Sequence, residues 1–249
     1  EGQPSICVGP EGAVYVTWSV HGFDSDNGPV FEIHLARSEN GGQSWQEIYV
    51  NHELSTRRPR ISTGPNGQLL LGWDQNGRIW VTRSLDRGEN WSTATRVGEV
   101  GGECDGDYDL ASAGGGIAYL VMTSCGQVWL AKSVDDGWSW TDPESHSIRD
   151  APDQSTMVYS PAIATYGPNH VFAIWIDKRQ SDPGMGDVFF AASHDSGATW
   201  TQNIRVNAFT GSLVDMAAQD IAAFSDAHLA VGWASEEVHI AESADGGMN

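Results

Sequence analysis

An octapeptide pattern, Ser-x-Asp-x-Gly-x-x-Trp, returns along the chain at regular intervals and limits what it can fold into more than any other feature. Full copies occupy 84–91, 133–140 and 193–200, and the copy at 38–45 carries Asn40 in place of Asp. A fifth copy, 243–249, stops one residue short of its Trp. The residue types suit a tight turn between two strands. A short Asp or Asn and a Ser hydroxyl can hydrogen-bond the turn's own backbone, and Gly accepts a positive φ. The Trp is expected to pack beneath the turn while its N–H finds a polar partner. The scaffold positions are therefore Ser38, Asn40, Trp45, Ser84, Asp86, Trp91, Ser133, Asp135, Trp140, Ser193, Asp195, Trp200, Ser243 and Asp245.

From Ser to Ser the copies lie 46, 49, 60 and 50 residues apart, the size of a four-stranded propeller blade. A second marker keeps the same phase. An apolar strand ending in Trp18, Trp73, Met122, Trp175 or Trp233 precedes each copy, and Pro4, Pro59, Tyr108, Pro161 and Gln219 each stand 14 residues earlier. The expected fold is all-β, a β-propeller of four-stranded antiparallel blades with five visible in the sequence. It forms one domain over 1–249, with blades near 1–50, 51–98, 99–148, 149–207 and 208–249. Each blade runs from a short strand A such as 4–8, through strands B (14–18) and C (33–37), to a polar outer strand D such as 46–50. The fifth repeat has no strand D, so a closing strand or a sixth blade is expected outside the sequence.

Alternating strand direction puts the octapeptide turns on one face and the B-to-C connections on the other. The turn face is uniform, which is the mark of a scaffold, whereas the opposite face carries the length variation of binding loops. The two long connections, 19–30 and 177–187, contribute the candidate ligand-binding residues His21, Asp24, Asp177, Arg179 and Asp182. A formal charge of −20 sets the molecule's field against nucleic acid and anionic membranes. No apolar run is long enough to span a bilayer, so no membrane insertion is expected. Residues 1–3 have nothing of a signal peptide, and an extracellular or periplasmic protein whose signal has been removed is expected.

The repeated octapeptides, with Trp175-Ile176-Asp177-Lys178-Arg179 leading into one of them, resemble those of the Asp-box, or BNR-repeat, β-propellers of the sialidase-like superfamily. The resemblance spans nearly the whole chain and is specific for fold. For activity it is open, because such propellers include sialidases, other glycosidases, lyases, lectins and sorting receptors. Carried over from the sialidases, an arginine triad would hold a substrate carboxylate, a Tyr would be the nucleophile and an Asp the acid/base. On this sequence the resemblance gives Arg58, beside Pro59, with Arg149 and Arg179 as companions. Tyr159 or Tyr108 would be the nucleophile and Asp74 or Asp24 the acid. The same arginines would otherwise be ion-pair partners on an acidic surface.

Two stretches place carboxylates at alternate positions, as calcium loops do. They give Asp24 and Asp26, and Asp105 and Asp107, as ligands for Ca²⁺, the one cofactor the sequence suggests. Cys104 and Cys125 fall in connections on one face, where a disulfide is geometrically reasonable and would imply an oxidising compartment. Cys7 is expected as a small filler. His34, His170, His228 and His239 sit at spacings set by the repeat and are expected to be structural. Trp80, Trp129 and Trp138 break the repeat pattern and are candidates for sugar stacking or for packing between blades.

Three functions follow from these features. The first is a secreted propeller that binds a glycan or protein partner through the loop-rich face. The second is a sialidase-like glycoside hydrolase using the arginine, Tyr and acid set on that same face. The third is a structural subunit of a larger extracellular assembly.

Overall fold

The computed structural model describes residues 4–24, 28–51, 56–99, 106–151, 156–179, 185–208, 219–234 and 237–247, except for the side chains at 21, 23–24, 28–31 and 51. Its strands form five sheets. The first contains β1 (Ser5–Val8), β2 (Val14–Asp24), β3 (Gly28–Ser38) and β4 (Gln46–Asn51). The second contains β5 (Thr56–Thr63), β6 (Leu69–Gln75), β7 (Arg78–Ser84) and β8 (Thr95–Glu99). The third holds β9 (Tyr108–Gly114), β10 (Ile117–Ser124) and β11 (Gln127–Ser133). The fourth holds β12 (Val158–Tyr166), β13 (His170–Asp177), β14 (Asp187–Ser193) and β15 (Ile204–Arg205), and the fifth β16 (Gln219–Ala223), β17 (Leu229–Ala234) and β18 (Val238–Ser243). Within each sheet, consecutive strands are neighbours, so the all-β architecture is a series of antiparallel meanders.

The third sheet has an irregular outer edge in place of a fourth strand. Ser147 bridges Trp129, while the Leu130 and Ile148 N–H groups donate to the carbonyls of His146 and Val128. Pro143 opens a single 3-10 turn, Pro143–Ser145, whose N-terminus is capped by Asp142, and this interrupts the ladder. The first long connection departs from expectation. Residues 19–30 were expected to form a loop, yet β2 runs to Asp24 and β3 begins at Gly28, with Asp24 paired to Gly28. The β-branched and aromatic content of Val20, Phe23, Val30 and Phe31 continues the hairpin.

By contact density the chain divides into two compact units, Glu1–Glu99 with Gly114–Ala118 and Ser133–Trp140, and Val100–Ala113 with Tyr119–Lys132 and Thr141–Asn249. In the first, Tyr15, Ile33 and Leu35 pack against Ile61, Leu69, Leu71 and Trp73. In the second, Phe172, Ile174, Ile176, Val188 and Phe190 pack against Ile221, Leu229, Val231 and Trp233. The near-continuous apolar run of β13 is what a strand covered on both faces requires.

The octapeptides fold alike. In all five, the Ser Oγ donates to the Asp or Asn Oδ1 and accepts from the N–H of the Gly four residues on from the Ser. In four, the same Oδ1 accepts the N–H four residues beyond the Asp or Asn. The Trp behaves less uniformly than expected. Trp45, Trp91 and Trp140 donate Nε1–H to their Gly carbonyl, but Trp200 Nε1 is buried without a partner among the described residues, and Trp45 is exposed.

Each later turn also seats on the sheet before it. A Cβ on Gly88 would meet Ile48, on Gly137 Leu70, on Gly197 Leu130 and Tyr119, and on Gly247 the ring of Phe190 at 2.3 Å. Gly42, in the first turn, would meet only its own Trp45. A cation placed just before the Ser of one turn reaches forward to the next. Arg37 donates to the Arg87 carbonyl, Arg83 to that of Asp135 and Lys132 to that of Ser196. The corresponding residues of the fourth and fifth sheets are Ala192 and Glu242.

Two sheet faces lack the cover their counterparts have. Val238 and Ile240 are 80% and 70% exposed, whereas the matching residues of the other sheets (Ile33 and Leu35, Ile79 and Val81, Val128 and Leu130, Val188 and Phe190) are 3% exposed or less. On the opposite side of the repeat, Ile6 is 65% exposed, against 6% or less for Ile61, Leu110, Ile163 and Ile221.

Candidate functional site

The most densely bonded polar group is Asp177, at the end of β13. Strand alternation turns its carboxylate inward, and its side chain is fully buried. Its Oδ2 accepts from Arg149 Nε at 2.9 Å, Arg179 Nε at 2.8 Å and Trp175 Nε1 at 3.2 Å. Its Oδ1 accepts the Arg179 N–H at 2.8 Å and Arg149 Nη2 at 3.2 Å. Burial pushes the Asp177 carboxyl up, but the hydrogen bonds and charges of Arg149 and Arg179 outweigh it and hold the group below the usual carboxylate range. With every lone-pair direction taken, Asp177 remains an anion that clamps two guanidinium groups, and it has no capacity left to accept a substrate proton.

The two arginines differ in what they leave open. The Arg149 side chain has no exposed surface, and its remaining Nη2 contact is the Thr156 hydroxyl. Arg179 keeps a solvent edge of 14%. It donates to Asp150 at 2.5 Å and to Asn203 at 3.1 Å, and its guanidinium lies 4.4 Å over the Phe189 ring. Asn203 ties the cluster to the outer strand, because it exchanges hydrogen bonds with Asp150 and donates to the Ile148 carbonyl. Next to it Lys178 lies 5.5 Å over the Tyr159 ring, with Met157 and Met185 exposed nearby in sequence. The arrangement leaves Lys178 and Tyr159 half-buried and a 14% edge of Arg179 open, while Phe189 is buried beneath the Arg179 guanidinium.

In the other unit, Arg58 and Asp74 meet: Arg58 Nη2 lies 2.8 Å from Asp74 Oδ2, and Asp74 Oδ1 accepts the Gly77 N–H at 2.7 Å. A bulge between Arg57 and Arg60 positions them, with Arg58 at φ 50 immediately before Pro59. The fourth sheet repeats the device between Tyr159 and Ala162, with Ser160 at φ 49 before Pro161. The structure thus brings Arg149, Arg179 and Asp177 together within one unit, and Arg58 and Asp74 together within the other. Tyr108, the other nucleophile the resemblance offered, is fully buried as a core side chain of β9.

Asp26, Asp105, Asp182 and Cys104 lie outside the described residues, as do the side chains of His21 and Asp24. Asp107 accepts the Tyr108 N–H at 2.9 Å. Among the described residues no group of three or more His, Cys, Asp or Glu side chains is placed to hold a metal. Cys125, at φ 47 in the β10–β11 turn, is disulfide-bonded. Cys7 is free, and burial pushes its thiol up to about 12, which leaves it inert. Trp138 is exposed with Arg83 4.9 Å over its ring, whereas Trp80 packs against the core of the first unit.

Sequence reasoning passed over Asn203, Thr156 and Phe189, which complete the Arg179 and Arg149 environment. It also passed over the buried pair Asn207 and Asp187, 2.7 Å apart. A signal was present: two Asn four residues apart, at the start of and just beyond an outer strand, are poor strand formers and imply side-chain bonding to backbone.

No protein-family model matches the sequence, and no curated protein matches it in sequence. Solved structures resemble it in fold. A Hadza microbial sialidase matches at TM-score 0.65 and 17% identity over 97% of this chain and 52% of its own, so the chain spans about half of that protein. The Penicillium chrysogenum α-L-arabinanase complexed with arabinobiose matches at TM-score 0.67 and 16% identity over 96% of this chain and 76% of its own. The GH93 α-L-arabinofuranosidase of Fusarium graminearum, also with arabinobiose, matches at TM-score 0.67 and 14% identity, covering 95% and 76%. At these identities the likeness is one of fold alone, an all-β array of antiparallel sheets shared with these proteins.

Proposed function

We propose that the protein is an Asp-box β-propeller that binds carbohydrate outside the cell through the end of the fourth sheet where Asp177, Lys178 and Arg179 lie. The five sheets act as blades. The observation that carries the binding role is the pairing of Lys178 with the half-buried Tyr159 ring, next to the 14% solvent edge of Arg179. Such a surface suits a hydroxyl-rich or carboxylate-bearing sugar. The fold likeness to proteins titled as sialidase, arabinanase and arabinofuranosidase supports the ligand class. The disulfide at Cys125 supports an oxidising compartment.

The test is a glycan array followed by titration of the best hit. Lys178→Ala should weaken binding about tenfold, the equivalent of about 1.4 kcal/mol. An array without a hit, or an unchanged affinity in the variant, rules the assignment out. A hydrolase is the second reading, favoured by the same neighbours. It predicts turnover of fluorogenic sialosides or arabinosides that is lost in Tyr159→Phe.

A further inference from the structure

Outside that site, the fourth sheet carries a pair of histidines that the scaffold does not call for. His170 opens β13 and His194 follows β14, and the register Val171 to Ser193 sets the two side by side at the turn end of the sheet. Their Nδ1 atoms are hydrogen-bonded to each other at 3.0 Å, so one of them carries a proton that an incoming metal ion would displace to solvent, and the ring centroids lie 5.3 Å apart with planes at 67°. The repeat supplies an internal control. At the position of His170 the first three sheets have Ala13, Gln68 and Ile117 and the fifth has His228, and at the position of His194 the other turns have Glu39, Leu85, Val134 and Ala244. Only the fourth sheet has His at both.

The pair is held before any ligand arrives. The Ser196 N–H donates to the Asn169 carbonyl at 2.9 Å, and Ser196 Oγ donates to the Pro168 carbonyl at 2.9 Å and to Asn169 Oδ1 at 3.1 Å, which locks the two segments together. Phe172 meets the His194 ring edge-on at 6.2 Å. We propose that His170 and His194 form a bidentate site for a divalent transition-metal ion of tetragonal preference, Cu²⁺ before Ni²⁺, through their Nδ1 atoms. The hydrogen-bonded spacing lies near that of a right-angle chelate, so little movement is needed to seat the ion. Two metal–nitrogen bonds of about 2.0–2.1 Å at a right angle put the nitrogens about 2.9 Å apart, whereas a tetrahedral angle puts them about 3.3 Å apart. The acidic molecule concentrates cations, and water completes the coordination shell.

Copper(II) titration of the whole chain, read by calorimetry and by electron paramagnetic resonance, tests the site. One ion should bind per chain with two imidazole nitrogens in the spectrum, and His194→Ala and His170→Gln, which copy residues of other repeats, should each weaken it at least tenfold. On the wild-type protein, Cu²⁺ should broaden the ring signals of His170 and His194 before those of His34, His228 or His239. Absence of binding at 100-fold excess of ion over protein, wild-type affinity in either variant, or prior broadening elsewhere overturns the proposal.

Discussion

At the scale of single residues, the octapeptide turns separate two reasons for glycine. Gly42 and Gly247 have φ 87 and 83, so both avoid the cost of a left-handed conformation, but a Cβ on Gly42 would stand in ordinary contact with Trp45 at 3.7 Å, whereas on Gly247 it would stand 2.3 and 2.4 Å from Phe190 carbons. Gly42→Ala should cost about 1–2 kcal/mol for backbone conformation. Gly247→Ala should cost an additional 1–3 kcal/mol, roughly, for overpacking. The shift in urea midpoint at constant slope measures the difference. Asp195 gives a second prediction. Hydrogen bonds from the Thr199 hydroxyl and N–H and from Ser193 hold its carboxyl down at about 2, against an ordinary 3.8. The folded value lies below the unfolded one, so its contribution is complete above about pH 4 and disappears as the pH falls towards 2. Asp195→Asn should keep the turn, as Asn40 does in the first copy, and flatten the acid limb of a stability curve between those limits. An acid limb unchanged in the variant would show that the carboxylate has no linkage to folding.

At the scale of elements, the forward-reaching cations make each of the first three sheets depend on its successor. Lys132 donates to the Ser196 carbonyl at 2.8 Å and lies 5.7 Å over Tyr119. Lys132→Ala should destabilise the protein by about 1–2 kcal/mol, whereas Ala192→Lys, at the matching position of the fourth sheet, should not raise stability by as much. Thermal unfolding of the two variants tests this. The repeat made the strands, their order and the turn chemistry legible in advance, because Ser, Asp and Gly at fixed offsets act locally. The role of Arg149 was not legible. Its partner Asp177 lies 28 residues away, and nothing local distinguishes an arginine enclosed by a buried carboxylate from one at a surface. The expected loop at 19–30 was missed for a similar reason, since length alone cannot distinguish a loop from a longer hairpin.

At the scale of the whole molecule, the bare faces are the feature that sets its behaviour in solution. Ile6 on one sheet, and Val238 and Ile240 on another, are apolar residues whose counterparts elsewhere are largely buried. Exposed apolar surface of this kind promotes association. Val238→Lys with Ile240→Lys should therefore lower self-association in sedimentation experiments while changing stability by no more than about 0.5 kcal/mol. A large loss of stability would show instead that the two side chains are covered in solution. The same polarity runs through the cations. Arg37, Arg83 and Lys132 each hold a donor for a carbonyl further along the chain. During synthesis, each of the first three sheets therefore waits with an unfilled contact for a turn the ribosome has yet to release.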